Sequence, residues 1–348
     1  MGHKHPVRSL SLPSLRPGPA VAALVALAPA TLLCLIIAIA AQLGSERTPA
    51  PAMLVALVLG VCASPLAARP AFAPGIDFSA RTLLRIGVAL LGVRITFGDI
   101  FALGWGAVVG IAGLIVTLVA GVWIARLLKL PSPLAWVSAG AVAICGASAG
   151  FAVSAAVEAD REYESEVASI IAGITVLGSI GMLLFPALAA LLHLDPHRTA
   201  VFLGGSLHEV AHVVGAGAAV SPAVEVAATS IKLVRVACLA PVVALIALAR
   251  RRPEAIQGGR RPAILPWFLA AFLVLAALAS FRLIPRPMSV EVADVSRYLL
   301  LVAMAALGMK SSPQKLLRAG PRLLGALVAQ SLLIAAFVLG AVLVIPAA

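Results

Sequence analysis

Charged residues make up only 11% of this 348-residue sequence, whereas a soluble domain keeps about a quarter of its residues charged. With 62% hydrophobic residues and a mean hydropathy of +1.09, the chain cannot cover a water-facing surface. The bilayer must be its solvent. Acids are scarce, 14 Asp and Glu against 26 Lys and Arg. The resulting net charge of +12 would suggest nucleic acid in a soluble protein. Here the basic residues stand between apolar runs, where they set topology, and this argues against a nucleic-acid partner. Cysteine is sparse too. Cys34, Cys62, Cys145 and Cys238 all lie in apolar stretches with no C-x-x-C pair, so they read as small buried side chains and not a disulfide framework. The alternation of a membrane β-barrel is also missing, and the apolar runs are far too long for barrel strands. What remains is an all-α polytopic membrane protein.

A helix needs about 20 mostly apolar residues to span a bilayer. That rule gives eleven candidate spans, about 20–42, 50–67, 78–95, 104–128, 133–157, 166–192, 199–220, 223–249, 263–281, 292–309 and 321–346. Residues 1–19 are basic and proline-rich and read as a flexible cytoplasmic tail; residues 20–348 read as one integral membrane domain. The run Ala20–Ala41 is too long for a signal-peptide core and is expected to be retained. Basic residues mark one side of the membrane: Lys4, Arg8 and Arg16 in the tail, Arg250, Arg251, Arg252, Arg260 and Arg261 after the eighth span, and Lys310, Lys315, Arg318 and Arg322 around the loop after the tenth. Eleven spans put all three groups on the N-terminal side, so the N-terminus is expected in the cytoplasm and the C-terminus in the periplasm. The acidic "EADREYESE" loop, with Glu158, Asp160, Glu162, Glu164 and Glu166, then falls outside.

The stretch from Arg81, "RTLLRIGVALLGVRITFGDIFALG", matches the stretch from Arg297, "RYLLLVAMAALGMKSSPQKLLRAG", at constant offset. Arg81 pairs with Arg297, Gly92 with Gly308, Arg94 with Lys310 and Gly104 with Gly320. Leucine matches alone are cheap in so apolar a chain; the Arg and Gly matches are less so. If the likeness is not chance, the copies are the third and tenth spans and cross in opposite directions. Inverted repeats of this kind characterise secondary transporters, whose substrate sites lie near the midplane on discontinuous helices.

Two segments suit such breaks. "ICGASAG" at 144–150 places Gly146, Ser148 and Gly150 within a span. It reads either as a small-residue packing face or as an unwound segment whose free N–H groups face an anion. "GGSLHEVAHVVGAG" at 204–217 sets Ser206, His208, Glu209 and His212 among glycines. Polar groups at that depth are expensive and face a cavity or a partner. A third segment, "TSIKLVRVACLAP", carries Lys232 and Arg235 about 14 and 18 Å into the eighth span at ~1.5 Å per residue. Their spacing puts both on one helix face. They read as a structural ion pair with Glu209 or Glu225, or as a site with positive charge left over for a transported anion; a shifted boundary would instead leave Lys232 in the headgroups.

His208-Glu209-Val210-Ala211-His212 also fits the zinc-protease pattern H-E-x-x-H, with Glu209 as general base. Such proteases need a third ligand, and the only later Asp is Asp294, in "VADVS". His193 and His197 could complete a four-histidine cluster, but Pro196 argues against a continuous helical site there.

"AICGASA", "SLHEVAHVVGAG", "IKLVRV" and "ALLGVRIT", at these positions, resemble the bacterial YeiH family of inner-membrane proteins, often labelled sulfate exporters. The resemblance covers nearly all of the chain after the basic tail. It implies a secondary-transporter-like protein of the bacterial inner membrane, with His208 and Glu209 belonging to the family pattern and the position of His212 usually not histidine. The reading is a secondary transporter or exporter of a small anion, sulfate or an organic sulfonate, and not an enzyme. Lys232 and Arg235 would attract the anion; Gly146, Ser148 and Ser206 would donate hydrogen bonds; His208 and Glu209 would handle a proton or orient the cations. No metal or cofactor is called for. The partners implied are the anion, the lipid bilayer and a coupling proton or cation, and a homo-oligomer is compatible with the sequence. The alternative is a metal-dependent intramembrane enzyme using His208, Glu209 and His212.

Overall fold

The structure, a computed structural model, describes residues 19–48, 50–157, 159, 163–249, 266–311 and 320–345. The basic tail up to residue 18, the arginine-rich segment 250–261, Lys315 and Arg318, and Glu158, Asp160 and Glu162 of the acidic loop lie outside the described residues.

The described residues hold helices and no strand. In chain order they are α1 (Pro19–Ser45), α2 (Ala52–Cys62), α3 (Ala73–Phe78), α4 (Leu84–Leu91), α5 (Phe97–Ala102), α6 (Trp105–Leu127), α7 (Ser132–Ala143), α8 (Ala147–Ala156), α9 (Glu164–Leu191), α10 (Pro196–Ser206), α11 (Val210–Val220), α12 (Pro222–Ala237), α13 (Leu239–Ala249), α14 (Trp267–Ser280), α15 (Arg286–Lys310) and α16 (Pro321–Val344). A π-helical turn, Ser79–Leu83, joins α3 to α4. Six helical stretches are long and apolar enough to cross a membrane: Val25–Ser45, Trp105–Leu127, Glu164–Leu191, Pro222–Ala249, Arg286–Lys310 and Pro321–Val344. The chain is therefore an all-α polytopic membrane protein with broken helices.

Side-chain contacts give the direction of each helix. The ion pair Lys310–Asp77 (2.6 Å) joins the C-terminal end of α15 to α3, and Arg94–Glu225 (3.1 Å) joins the segment after α4 to the first turn of α12. While Asp77 meets Lys310, Ser296 Oγ donates to the Gly87 carbonyl at 2.6 Å. Residue numbers thus rise along α3–α4 as they fall along α15, and the two copies of the sequence repeat run antiparallel. Beside them α2 touches α15 backbone to backbone: a Cβ on Gly60 would stand 2.2 Å from the Ala305 oxygen, the close approach that small residues give membrane helices.

Two of the eleven stretches double back instead of running through. In 133–157, Gly140 of α7 faces Val153 of α8, and Gly150 of α8 faces Ala141 of α7. The two helices lie side by side, antiparallel, as a hairpin. In 199–220, α10 runs antiparallel to α9, with the Phe185 and Phe202 rings 5.1 Å apart. The next helix, α11, runs parallel to α9: Thr175 reaches Glu209, Ser179 reaches His212, and Met182 faces Gly215. So α10–α11 is also a hairpin. Its mouth is set by two caps. Asp195 accepts from the Arg198 N–H before Pro196, and Ser221 accepts from the Val224 N–H before Pro222, each a cap followed by proline at the first helical position.

α9 runs the length of the bundle between the two hairpins, so they enter from opposite ends. The first opens at the Lys310 end and the second at the Glu225 end. Among the described residues six stretches, in α1, α6, α9, α12–α13, α15 and α16, are long enough to cross, α2, α3–α4 and α14 are shorter or broken, and the two hairpins enter without passing through.

Candidate functional site

The two hairpin tips meet inside the bundle. The first turns at Ile144-Cys145-Gly146, closed by the Gly146 N–H donating to the Ala141 carbonyl at 2.8 Å. Gly146 has φ +65°, in the region that favours glycine, and a Cβ there would stand 2.4 Å from Glu209 Cγ. The second turns at Leu207-His208-Glu209, with Glu209 at the N-cap of α11 in extended conformation. Each tip therefore presents one helix C-terminus, with free carbonyls, and one helix N-terminus, with free N–H groups.

Lys232 and Arg235 hold the carbonyls. Lys232 Nζ donates to Ile144 O at 2.7 Å and Leu207 O at 2.8 Å, one in each tip. Arg235, one turn on, donates through Nε to Ala143 O (3.1 Å), through Nη1 to Gly205 O (2.6 Å) and Gly204 O (3.3 Å), and through Nη2 to Ala143 O and Val142 O. Both side chains are 0% exposed. Their counter-charge is the negative end of two helix dipoles, about half a charge each, and not a carboxylate. The sequence pointed to Glu209 or Glu225 as an ion-pair partner. Glu225 instead pairs with Arg94, and Glu209 faces the other side of the tips.

That other side carries the N–H groups. Glu209 Oε1 accepts from the Ala147 N–H, at the start of α8, and from Thr175 Oγ1, both at 3.4 Å. Its Oε2 lies 3.7 Å from His212 Nδ1. His212 Nε2 is 3.2 Å from Ser179 Oγ, which is 3.0 Å from Ser311 Oγ. Above the carboxylate lies a cavity of about 850 Å³, whose polar and charged lining includes Ser148, Thr175, Glu209, Arg81, Arg85 and Lys310. A second cavity, of about 700 Å³, holds Arg94, Glu225, Asp294 and Arg297. The repeat explains the pairing. Each cavity receives the leading Arg of one copy and the paired cation thirteen residues on in the other, Arg81 with Lys310 in the larger and Arg297 with Arg94 in the smaller.

Of the residues singled out in the sequence, Ser148 and Glu209 line the larger cavity and Gly146 supports Glu209 from the turn. Lys232 and Arg235 lie between the hairpin tips, bound to carbonyls, and not among the cavity lining. Ser206 and His208 point elsewhere. Ser206 is 0% exposed, and its Oγ has no hydrogen-bond partner among the described residues. His208 Nε2 lies 2.9 Å from Ser331 Oγ in α16. His208 and Glu209 precede the first turn of α11, so the one-turn spacing that would align His208 with His212 is lost, and the two imidazoles bond different helices. No three His, Cys, Asp or Glu side chains among the described residues converge as a metal ion would need. Sequence reasoning missed Thr175 and Cys145 as lining, and noticed Arg81 only as a repeat partner and Lys310 only as a repeat partner and topology marker. Pairing the repeat copies antiparallel would have brought those two cations to one end.

A family profile described as "Conserved hypothetical protein 698" matches residues 29–327. The UPF0324 membrane protein TauZ of Paracoccus pantotrophus is 42% identical over 307 residues, 87% of this chain and 91% of the relative. The UPF0324 membrane protein RB0971 of Rhizobium meliloti is 41% identical over 314 residues, 89% of this chain and 91% of the relative. The UPF0324 membrane protein CT0845 of Chlorobaculum tepidum is 36% identical over 317 residues, 90% of this chain and 88% of the relative. No solved structure matches the chain.

Proposed function

The chain belongs to the UPF0324 family of membrane proteins, the family its motifs resemble, and from that premise we propose that it is a secondary transporter of a small anion, sulfate or an organic sulfonate. The observation that carries this is the meeting of two re-entrant hairpins from opposite ends at Lys232, with a cavity toward each end. Half-helices ending at mid-depth are how transporters build a polar site inside hydrocarbon. The sign of the substrate follows from the charges. Lys232 and Arg235 bring two positive charges, Glu209 one negative, and the helix ends cancel in pairs. The cations do not touch the anion in this reading. They hold two helix C-termini together, and so hold the α8 N-terminus toward the cavity, where the N–H groups and Ser148 hydroxyl bind it. Arg81, Arg85 and Lys310 draw anions into the cavity.

Movement of the hairpins against the α3–α4 and α15 pair would close the larger cavity and open the smaller. The protein acts without catalytic chemistry. In this reading the larger cavity faces the cytoplasm of a bacterial inner membrane, with the N-terminus in the cytoplasm and the C-terminus in the periplasm, an orientation supported by the basic segments. With two re-entrant hairpins this orientation still keeps all three basic groups inside, and moves the acidic 158–166 loop inside with them.

The test is flux. Vesicles containing the purified protein and loaded with radiolabelled sulfate or methanesulfonate should release it faster than empty vesicles, and a Lys232→Ala/Arg235→Ala variant should not. Equal release from empty and protein-containing vesicles for both anions sinks the reading.

A further inference from the structure

We infer that Glu209 is the protein's own occupant of the anion site, and that a transported anion replaces its carboxylate only after that carboxylate takes up a proton. This rests on the anion-transport reading above and adds its coupling. An oxyanion of a sulfate or sulfonate and a carboxylate compete for the same donors, and here the carboxylate is already in place. Glu209 Oε1 takes the Ala147 N–H and lies 3.4 Å from Thr175 Oγ1, whose single proton is shared with the Ile171 carbonyl at 3.1 Å. The side chain packs on Gly146 so closely that no Cβ fits between them. Two full negative charges cannot share one α8 N-terminus in a site of low dielectric without large repulsion.

Protonation resolves the competition. A proton from cavity water bonds to a Glu209 oxygen and cancels its charge. The carboxyl loses about half of its hold on the Ala147 N–H, because bonds to charged acceptors are about twice as strong as neutral ones. The anion then takes that N–H and the Ser148 hydroxyl. One proton enters the site with each anion and leaves with it, so proton and anion move together. His212 gives the carboxyl somewhere to turn. It is 0% exposed, its Nδ1 has no hydrogen-bond partner among the described residues, and it points at Glu209 Oε2 from 3.7 Å. The other charged or titratable groups facing Glu209 are Cys145 on the first tip, Lys232 on α12, Arg81 and Arg85 on the α3–α4 pass and Lys310 on α15. Thr175 and Ser179 on α9 are polar and uncharged. Negative charge brought in by the anion favours proton uptake beside it.

Two measurements on detergent-purified full-length protein test this. Radiolabelled sulfate binding should weaken with rising pH, approaching about tenfold per pH unit for one linked proton, and adding sulfate at low buffer strength should draw about one proton per anion bound. Glu209→Gln should bind sulfate with little pH dependence between pH 5 and 8. Saturable wild-type binding without proton uptake overturns the inference and leaves the transporter reading standing; so does a Gln variant that keeps the wild-type slope. The uptake measurement needs no variant and holds if the Gln protein does not fold. If the wild type binds neither sulfate nor methanesulfonate at any pH, both readings fall together.

Discussion

Lys232 Nζ lies 2.8 Å from the carbonyl oxygen of Leu207, with a second bond, of 2.7 Å, to Ile144 on the opposite hairpin. One side chain thus ties together two hairpins that enter from opposite ends. Lys232→Met keeps the volume and removes both bonds. It strands the buried Ile144 carbonyl and leaves Leu207 O only the longer 3.4 Å bond from Arg235 Nη1, a lost partner costing about 1–3 kcal/mol, against a gain from no longer burying the ammonium. A net loss of about 2–4 kcal/mol is expected, seen as a lower melting temperature in detergent together with loss of sulfate release. A variant as stable as the wild type would mean that the tips are held by something other than this lysine.

Gly146 stands at φ +65° with Glu209 Cγ where a Cβ would go. Gly146→Ala adds backbone strain of about 1–3 kcal/mol and pushes Glu209 off the Ala147 N–H. A double-mutant cycle with Glu209→Ala separates the two effects. The clash should vanish in the double variant while the strain remains, giving a coupling of about 0.5–3 kcal/mol between the two sites. Strictly additive melting shifts would mean that Glu209 does not rest on Gly146.

The glycines, the buried cations and the repeat were legible in the sequence because each breaks a strong local rule: small residues within an apolar run, charge far from an interface, Arg and Gly recurring at fixed offset. The all-α class followed from composition alone. The direction of the chain at each break did not. Apolar length carries no sign, and 133–157 is as long as a true span whether it runs through or folds at Gly146. Subtler marks were present. Each half of that stretch, 12 residues in α7 and 10 in α8, is too short to cross, and Ser221-Pro222 restarts a helix directly after Val220. The role of Lys232 and Arg235 was half legible. Their burial was foreseen, but their partners are backbone carbonyls, which belong to no residue type and leave no mark in a sequence.

H-E-x-x-H is present in the sequence but not in the geometry, since His208 turns to Ser331 and His212 to Ser179. Zinc should therefore contribute nothing to stability. Dialysis against EDTA is expected to leave the melting temperature unchanged, and His212→Ala should not alter the zinc content measured by mass spectrometry. A bound metal that stabilises only the folded state would instead raise the melting temperature measurably. A drop after EDTA that zinc restores, absent in His212→Ala, would favour the metal-dependent enzyme.

The hairpins make a prediction that the eleven-span reading contradicts at two loops. If 133–157 folds back, Lys129 before α7 and Glu164 at the start of α9 lie on one face of the membrane; if it runs through, they lie on opposite faces. The same holds for His193, before α10, and Ala223, at the start of α12. All four are exposed, so single cysteines there should react. In a background with Cys34, Cys62, Cys145 and Cys238 replaced, a membrane-impermeant maleimide applied to intact cells should label His193→Cys and Ala223→Cys, and leave Lys129→Cys and Glu164→Cys unlabelled until the cells are opened. Discordant labelling within either pair means that the segment between them crosses, and the hairpin on that side is then untenable. Because one added or lost crossing also flips every later loop, Arg322→Cys serves as an internal check: it should behave like Lys129→Cys, as expected if both hairpins turn back and the basic segments share the cytoplasmic face.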